Sequence, residues 1–361
     1  MNTAILSQFK SLFHERKNVV IIGHKNPDGD AIGASLGLYW FLLDLGHKPT
    51  VVMPNDFPEF LKWMPGNDQI LNFEQQSPQV EACLEQADLI CTLDFNDLSR
   101  VGGLESLLVN SQKTFVMIDH HQQPADYAAL TWSDTTMSST SEMIAHLIEA
   151  WTGWSKLTEA TATNLYTGIM TDTGSFRFPA TTAKTHQVVA ALIEAGAQHS
   201  KIHQAVYDNQ SPGRLKLLGR ALANMEIQSQ YNTAFICLSQ KDLDECDFKK
   251  GDTEGFVNYA LQIQGIRFAL IFIENKHEQI IKISLRSVGD FSVNEFARNH
   301  FNGGGHINAA GGRFDGSLTE AVNHLLKHLP EYKNQLHEAE SLDFEFNDLC
   351  KLFGLRTTRA P

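Results

Sequence analysis

Val19-Val20-Ile21-Ile22-Gly23-His24-Lys25-Asn26-Pro27-Asp28-Gly29-Asp30 decides how the first half of this 361-residue chain is read. Four β-branched apolar residues in a row predict a short buried strand. Gly23 then allows a turn, and Pro27 and Gly29 hold a loop that presents His24, Asp28 and Asp30. The pattern recurs. Leu89-Ile90-Cys91-Thr92-Leu93 is followed by Asp94, and Phe115-Val116-Met117-Ile118 by Asp119-His120-His121. A fourth segment, Thr171-Asp172-Thr173-Gly174, places Asp172 after a helical stretch over 159–171. Apolar runs of this length, separated by helical periods, predict parallel strands, and in open α/β sheets ligands bind beyond the carboxyl ends of such strands.

Working outward, residues 1–200 are expected to form an α/β domain, a mostly parallel sheet flanked by helices at 31–45, 141–151, 159–171 and 185–195. Ser211-Pro212 reads as an N-cap with proline in the first turn, so 201–228 are expected to be a helical connector. The rhythm then changes. Strands are expected at 231–238, 266–274 and 279–286, the last two joined by a hairpin loop at 275–278. A helix over 292–301, a Gly-rich run over 302–312 and a capping box from Ser317 to Glu320 opening a last helix complete a smaller α+β domain over 229–342. Residues 343–361 are read as a tail.

Composition narrows the classes. With 29 Lys+Arg against 42 Asp+Glu the formal charge is −13, which disfavours an extended basic face for long duplex nucleic acid. Short nucleotides remain compatible, since cations and a few arginines reverse the field locally. Five cysteines with no CxxC pair fit a reducing cytoplasm. The N-terminal stretch reads as an amphipathic helix rather than a signal peptide, and no run reaches the ~20 apolar residues that span a bilayer. The expectation is a soluble cytoplasmic protein without a membrane partner, compatible with a homodimer.

Several aspartates with two imidazoles and no thiolate suit Mn²⁺ or Mg²⁺ better than Zn²⁺ or Fe²⁺. Two such ions ~3.5–4 Å apart can clamp a phosphoryl oxygen and activate water. Each segment also has an ordinary reading. Asn26, Asp28 and Asp30 could cap the next helix, and Asp94 or Asp172 could serve a turn. The Asp119-His120-His121 triplet directly after a strand is harder to assign to packing.

His24-Lys-Asn-Pro-Asp-Gly-Asp-Ala-Ile-Gly33, the isolated Asp94, Ile118-Asp-His-His121 and Gly168-Ile-Met-Thr-Asp-Thr-Gly-Ser-Phe176, in this order, resemble the four motifs of the DHH phosphoesterase family. Lys282-Ile-Ser-Leu-Arg-Ser287 and Gly303-Gly-Gly-His-Ile-Asn-Ala-Ala-Gly-Gly312 resemble its DHHA1 substrate domain. The resemblance implies one cation held by His24, Asp28 and Asp94, and a second held by Asp30, Asp94, His120 and Asp172, with Asp94 bridging. It implies His121 as a donor to the scissile phosphate and Asp119 as the group orienting a neighbouring histidine. In the second domain, Arg286 and His306 would engage phosphate, Gly303, Gly304 and Gly305 would offer backbone N–H groups, and Asn308 is a lesser candidate. Gln122-Gln123-Pro124 departs from the family, many members having asparagine at the position of Pro124, which puts any contact of that asparagine in doubt.

The resemblance further implies two divalent cations, most simply Mn²⁺ with Mg²⁺ as the alternative. A metal-bridged hydroxide would hydrolyse short RNA oligonucleotides and 3′-phosphoadenosine 5′-phosphate held between two closing domains. Cyclic or linear signalling dinucleotides are the alternative substrates, and a catalytically silent nucleotide-binding regulator is the alternative of another class. Family pyrophosphatases carry a different C-terminal domain, so the glycine-histidine loop argues against that activity.

Overall fold

The computed structural model describes residues 3–249 and 251–338. It divides between Gln210 and Ser211 into two units. The first has the order α1 (Thr3–Leu12), β1 (Asn18–Ile22), α2 (Gly29–Asp44), β2 (Lys48–Met53), β3 (Ile70–Asn72), α3 (Phe73–Gln86), β4 (Leu89–Leu93), α4 (Glu105–Val109), β5 (Thr114–Asp119) and β6 (Leu130–Ser133). Helices α5 (Thr140–Thr152), α6 (Glu159–Asp172), α7 (Ala183–Glu194) and α8 (His199–Tyr207) follow.

The six strands form one sheet in the order β3-β2-β1-β4-β5-β6, and every neighbouring pair is parallel. The strand order reverses between β1 and β4, which is where a doubly wound sheet opens a crevice at its carboxyl edge. Val19, Val20, Ile21 and Ile22 are each no more than 2% exposed. Full burial of such side chains contributes ~1.5–3 kcal/mol apiece, enough to offset the ~1–2 kcal/mol per residue of backbone ordering. The strand is therefore held by its side chains on both faces, as a continuous apolar run requires.

Helix α2 is capped by Asp28, whose Oδ1 accepts from the N–H groups of Asp30 and Ala31 at 3.0 Å each. It is buried nearly all round, and small residues let it approach α6 closely. A Cβ on Gly33 would lie 2.6 Å from the Asn164 carbonyl oxygen, and one on Gly29 2.3 Å from Thr171 Oγ1. That contact fixes Asp172, at the end of α6, near the start of α2.

The second unit contains α9 (Pro212–Ala223), β7 (Met225–Gln228), β8 (Thr233–Leu238), α10 (Gln240–Glu245), α11 (Val257–Ala260), β9 (Phe268–Asn275), β10 (Ile280–Ser287), α12 (Val293–His300), β11 (Gly304–Gly305), β12 (Ala309–Phe314), α13 (Leu318–His328) and α14 (Lys333–Glu338). Its sheet runs β11-β12-β10-β9-β8-β7, antiparallel except for β8 beside β9. Alternation along the strands separates two cores. Phe235, Phe268, Leu270 and Phe272 pack with Phe296, Phe301 and Leu325. Ala234, Ile236, Ala269 and Ile271 pack with Leu217, Ala221 and Val257.

Two expectations change. Residues 201–228 are not one helical connector: α8 ends at Tyr207, α9 begins at Pro212 with Ser211 Oγ accepting from Arg214 N at 3.0 Å, and β7 starts at Met225. The cap stops one helix from running into the next, and β7 is drawn into the sheet by pairing with β8. The run over 302–312 is not simply a loop, because it contains β11 and the start of β12, with β12 paired to β10 on one side and β11 on the other. The expected tail over 343–361, and 339–342 of the preceding domain, lie outside the described residues. Among the described residues no helix is long and apolar enough to cross a membrane.

Candidate active site

Beyond the carboxyl edge of β1, β4 and β5, the strand-end residues converge. His24 follows β1 and is 6% exposed; Asp94 follows β4 at 2%; His120 and His121 follow β5 at 5% and 8%. Asp94 adopts φ 65, a left-handed conformation that aspartate tolerates better than most residues. Its two oxygens face different imidazoles. Oδ2 lies 3.5 Å from His24 Nε2, and Oδ1 lies 3.5 Å from His120 Nε2. Asp28 Oδ2 is 3.8 Å from His24 Nε2, while Asp30 Oδ2 and Asp172 Oδ2 are 3.9 and 3.4 Å from His120 Nε2. Ligand atoms of His24, Asp28 and Asp94 therefore cluster within 4.8 Å, as do those of Asp30, His120 and Asp172.

The outer nitrogens of both histidines are spoken for. His24 Nδ1 faces the Lys25 carbonyl at 2.9 Å and His120 Nδ1 the Met137 carbonyl at 3.2 Å. With Nδ1 held by a carbonyl, Nε2 is left facing the carboxylates, the orientation that metal-bound imidazole needs. His121 Nδ1 instead donates to Asp119 Oδ1 at 2.7 Å.

Electrostatics support a cation site. Burial pulls the His24 imidazole down, but the carboxylates of Asp28 and Asp94 outweigh it and hold it at about 10. Burial raises Asp172 to about 6, aided by the charges of Asp28 and Asp94 against the opposing pull of His120. Asp30 is driven well above the carboxylate range by burial and by the charges of Asp94 and Asp172. Carboxylates this close and this buried repel one another, and their ion-pair partners are His24, His120 and His121. Asp119 Oδ2 is buried with no hydrogen-bond partner. An oxygen-rich set with two imidazoles, which ligate once a cation displaces the Nε2 proton, fits hard divalent cations.

In the second unit, Arg286 sits in β10 opposite Ala309 of β12, one strand from the glycine run. The run is braced from within. Gly303 N donates to the Ala297 carbonyl at 3.2 Å, Gly305 N to Asn294 Oδ1 at 2.9 Å, and His306 N to the Ala309 carbonyl at 2.7 Å. Gly304 pairs with Gly311. A Cβ on Gly303 would lie 2.0 Å from the Gly311 carbonyl oxygen. The glycines thus permit a tight hairpin, and the N–H groups of Gly303 and Gly305 are engaged rather than offered outward. Asn308 Nδ2 donates to Ser287 Oγ at 2.9 Å and the Gly289 carbonyl at 2.8 Å, which ties the loop to the end of β10.

With this geometry in place, sequence relationships are decisive. The model of the DHH family, N-terminal domain, matches residues 18–169, and that of the DHHA1 domain matches 223–335. The bifunctional oligoribonuclease and PAP phosphatase NrnA of Thermus thermophilus is 32% identical, covering 87% of this chain and 89% of its own length. The chain belongs to the DHH family. NrnA of Bacillus subtilis is 29% identical over 81% of this chain and 88% of its own. A crystal structure of an exopolyphosphatase-related protein from Bacteroides fragilis superposes with a TM-score of 0.89 at 40% identity, covering 93% of this chain and 98% of that one.

Two residues of this DHH protein escaped the sequence reading. The N–H groups of Thr140 and Ser141, in the first turn of α5, donate to Asp30 Oδ2 and Oδ1 at 2.6 and 2.8 Å, and Thr140 Oγ1 donates to Asp94 Oδ1 at 3.0 Å. A helix N-terminus thereby stabilises carboxylate charge. The visible signal was Ser138-Ser139-Thr140-Ser141-Glu142, a helix-start pattern, though nothing local revealed its target.

Proposed function

We propose that this protein is a two-metal phosphoesterase that hydrolyses short oligoribonucleotides and 3′-phosphoadenosine 5′-phosphate. The observation that carries the reading is Asp94, whose two carboxylate oxygens face His24 on one side and His120 on the other. His24, Asp28 and Asp94 would hold one divalent cation, and Asp30, Asp94, His120 and Asp172 the other, with Mn²⁺ preferred. Such ions supply Lewis acidity toward a phosphoryl oxygen and toward water. Asp119 fixes the ring of His121, which donates to the phosphate from its other nitrogen when protonated.

Recognition of the rest of the substrate falls to Arg286 and His306 of the DHHA1 domain. A guanidinium grips phosphate in a forked, bidentate way. Gly303, Gly304, Gly305 and Asn308 shape the loop that carries His306. Substrate choice follows the relatives whose activity is named for oligoribonucleotides and PAP and whose length this chain matches.

The test is a panel with Mn²⁺: a 5′-phosphorylated diribonucleotide, 3′-phosphoadenosine 5′-phosphate, cyclic di-adenylate and linear di-adenylate at equal concentration. The first two are expected to turn over fastest. Cyclic di-adenylate as the best substrate would replace this reading with a signalling-dinucleotide phosphodiesterase. Binding without phosphate release would leave a silent regulator. Asp94→Ala is expected to abolish turnover and to lower bound metal, and undiminished turnover would remove Asp94 from the centre.

A further inference from the structure

A second group of metal-binding side chains lies in the other unit, unrelated to the aspartate-rich centre. His300 ends α12, and His324 and His328 lie one turn apart on α13. Each offers a ring nitrogen, and the three nitrogens lie within 4.8 Å of one another. Ring centroids are 4.3 Å apart for His300 and His328, 4.7 Å for His324 and His328, and 6.1 Å for His300 and His324.

The surroundings favour ligation over simple ring packing. His324 Nε2 is buried and has no hydrogen-bond partner. His328 Nδ1 donates to Glu331 Oε1 at 2.8 Å, which leaves Nε2 with its lone pair. This is the carboxylate–imidazole arrangement that orients a metal ligand. His300 Nε2 lies 2.8 Å from Tyr332 Oη. Phe296 lies tilted against His300 at 4.7 Å, and Phe301 and Phe314 stand 5.5 and 5.4 Å from His324, so apolar rings wall one side of the cluster. Two histidines at i and i+4 on one helix face form a chelating pair, and a third from a neighbouring helix completes a three-nitrogen set.

We propose that His300, His324 and His328 form a second metal centre that takes one borderline divalent cation of the Zn²⁺, Co²⁺ or Ni²⁺ type and fastens the end of α12 to α13. Imidazole-only coordination selects these ions over Mg²⁺ and Mn²⁺, for which carboxylate sets are suited. The two centres would therefore sort cations by ligand type within one chain.

The experiment is a Zn²⁺ titration of the full chain by calorimetry in saturating Mn²⁺, comparing wild type, His328→Gln, Glu331→Gln and His277→Gln. His277 is an exposed histidine on the turn between β9 and β10 and serves as control. The wild type and His277→Gln are expected to bind one more equivalent of Zn²⁺ than His328→Gln. Glu331→Gln keeps all three imidazoles and is expected to retain the equivalent with affinity weakened ~10–100-fold. Equal stoichiometry in wild type and a folded His328→Gln overturns the proposal. Should His328→Gln fail to fold by circular dichroism, Glu331→Gln decides: unchanged Zn²⁺ affinity overturns the centre, and the weakened affinity supports it.

Discussion

Asp119 Oδ1 accepts from His121 Nδ1 at 2.7 Å, while the other oxygen of the same carboxylate is buried without a partner. Asp119 is fully buried at the end of β5, so the bond holds the ring from a rigid element. Asp119→Asn keeps the shape but replaces an anionic acceptor by an amide. Turnover should fall ~10–100-fold, the range for losing an orienting group, with KM little changed. Steady-state kinetics on a diribonucleotide checks this. An unchanged kcat would make Asp119 a packing residue.

Gly168 tests the helix contact that assembles the centre. Alanine is a better helix former than glycine by ~0.8–1 kcal/mol, so propensity alone predicts that Gly168→Ala stabilises α6. The new Cβ, however, would lie 2.0 Å from Ser141 Oγ and 2.9 Å from Asp30 Oδ1. Overpacking of that kind costs ~1–3 kcal/mol and should win. Gly168→Ala is expected to lower the thermal midpoint and weaken Mn²⁺ binding. Gly219→Ala in α9, where a Cβ meets nothing within 4 Å, should raise the midpoint. A stabilised Gly168→Ala with normal metal content would contradict the packing account.

These two cases also show what a single sequence reveals. His24, Asp94 and the Asp119-His120-His121 triplet were legible because ionisable groups directly after buried apolar strands have little packing reason to be there. Asp30 was legible as a candidate ligand, but its partners Thr140 and Ser141 stand 110 and 111 residues away, and only the fold joins them. The glycines at 29, 33 and 168 carry no periodic signal of their own, since their meaning lies in how close α2 and α6 approach. Strand β12, Ala-Ala-Gly-Gly-Arg-Phe, lacks the β-branched residues that mark a strand and forms because β10 supplies its partners.

Glu142 sets a pH dependence of stability outside the metal centre. Its carboxylate is buried on α5 and accepts from Ser138 N at 3.2 Å, from the Ser138 hydroxyl and from Thr185 Oγ1 at 3.1 Å, with His146 Nε2 3.6 Å away. Burial pushes the carboxyl up, but His146 and the Ser138 bonds outweigh it and hold it below the ordinary glutamate value of 4.5. The unfolded chain then binds the proton more readily, so this contribution is complete above the ordinary value and disappears as pH falls through the lower, folded one. Glu142→Gln should be less stable at neutral pH by ~1–3 kcal/mol and show a flatter decline on acidification. Thermal midpoints from pH 7 into the acid range compare the two. Parallel curves for wild type and variant would refute the linkage.

Asn294 provides the counterpart for substrate binding. Its Oδ1 accepts from Gly305 N at 2.9 Å and from Arg298 Nε at 3.2 Å, so one buried side chain holds the glycine hairpin that carries His306. Asn294→Ala leaves the Gly305 N–H without this acceptor in a loop whose φ of 155 already depends on glycine. A half-buried donor left unmet costs up to ~1–3 kcal/mol, which the loop can escape by moving. Movement of His306 weakens the hold on substrate without touching His24, Asp94 or His120. KM should therefore rise ~10-fold, the equivalent of ~1.4 kcal/mol, with kcat within about twofold of wild type. Asp119→Asn and Asn294→Ala should separate cleanly, one acting on turnover and the other on KM. An Asn294→Ala enzyme that loses kcat at unchanged KM would place the hairpin in the chemical step instead of in recognition.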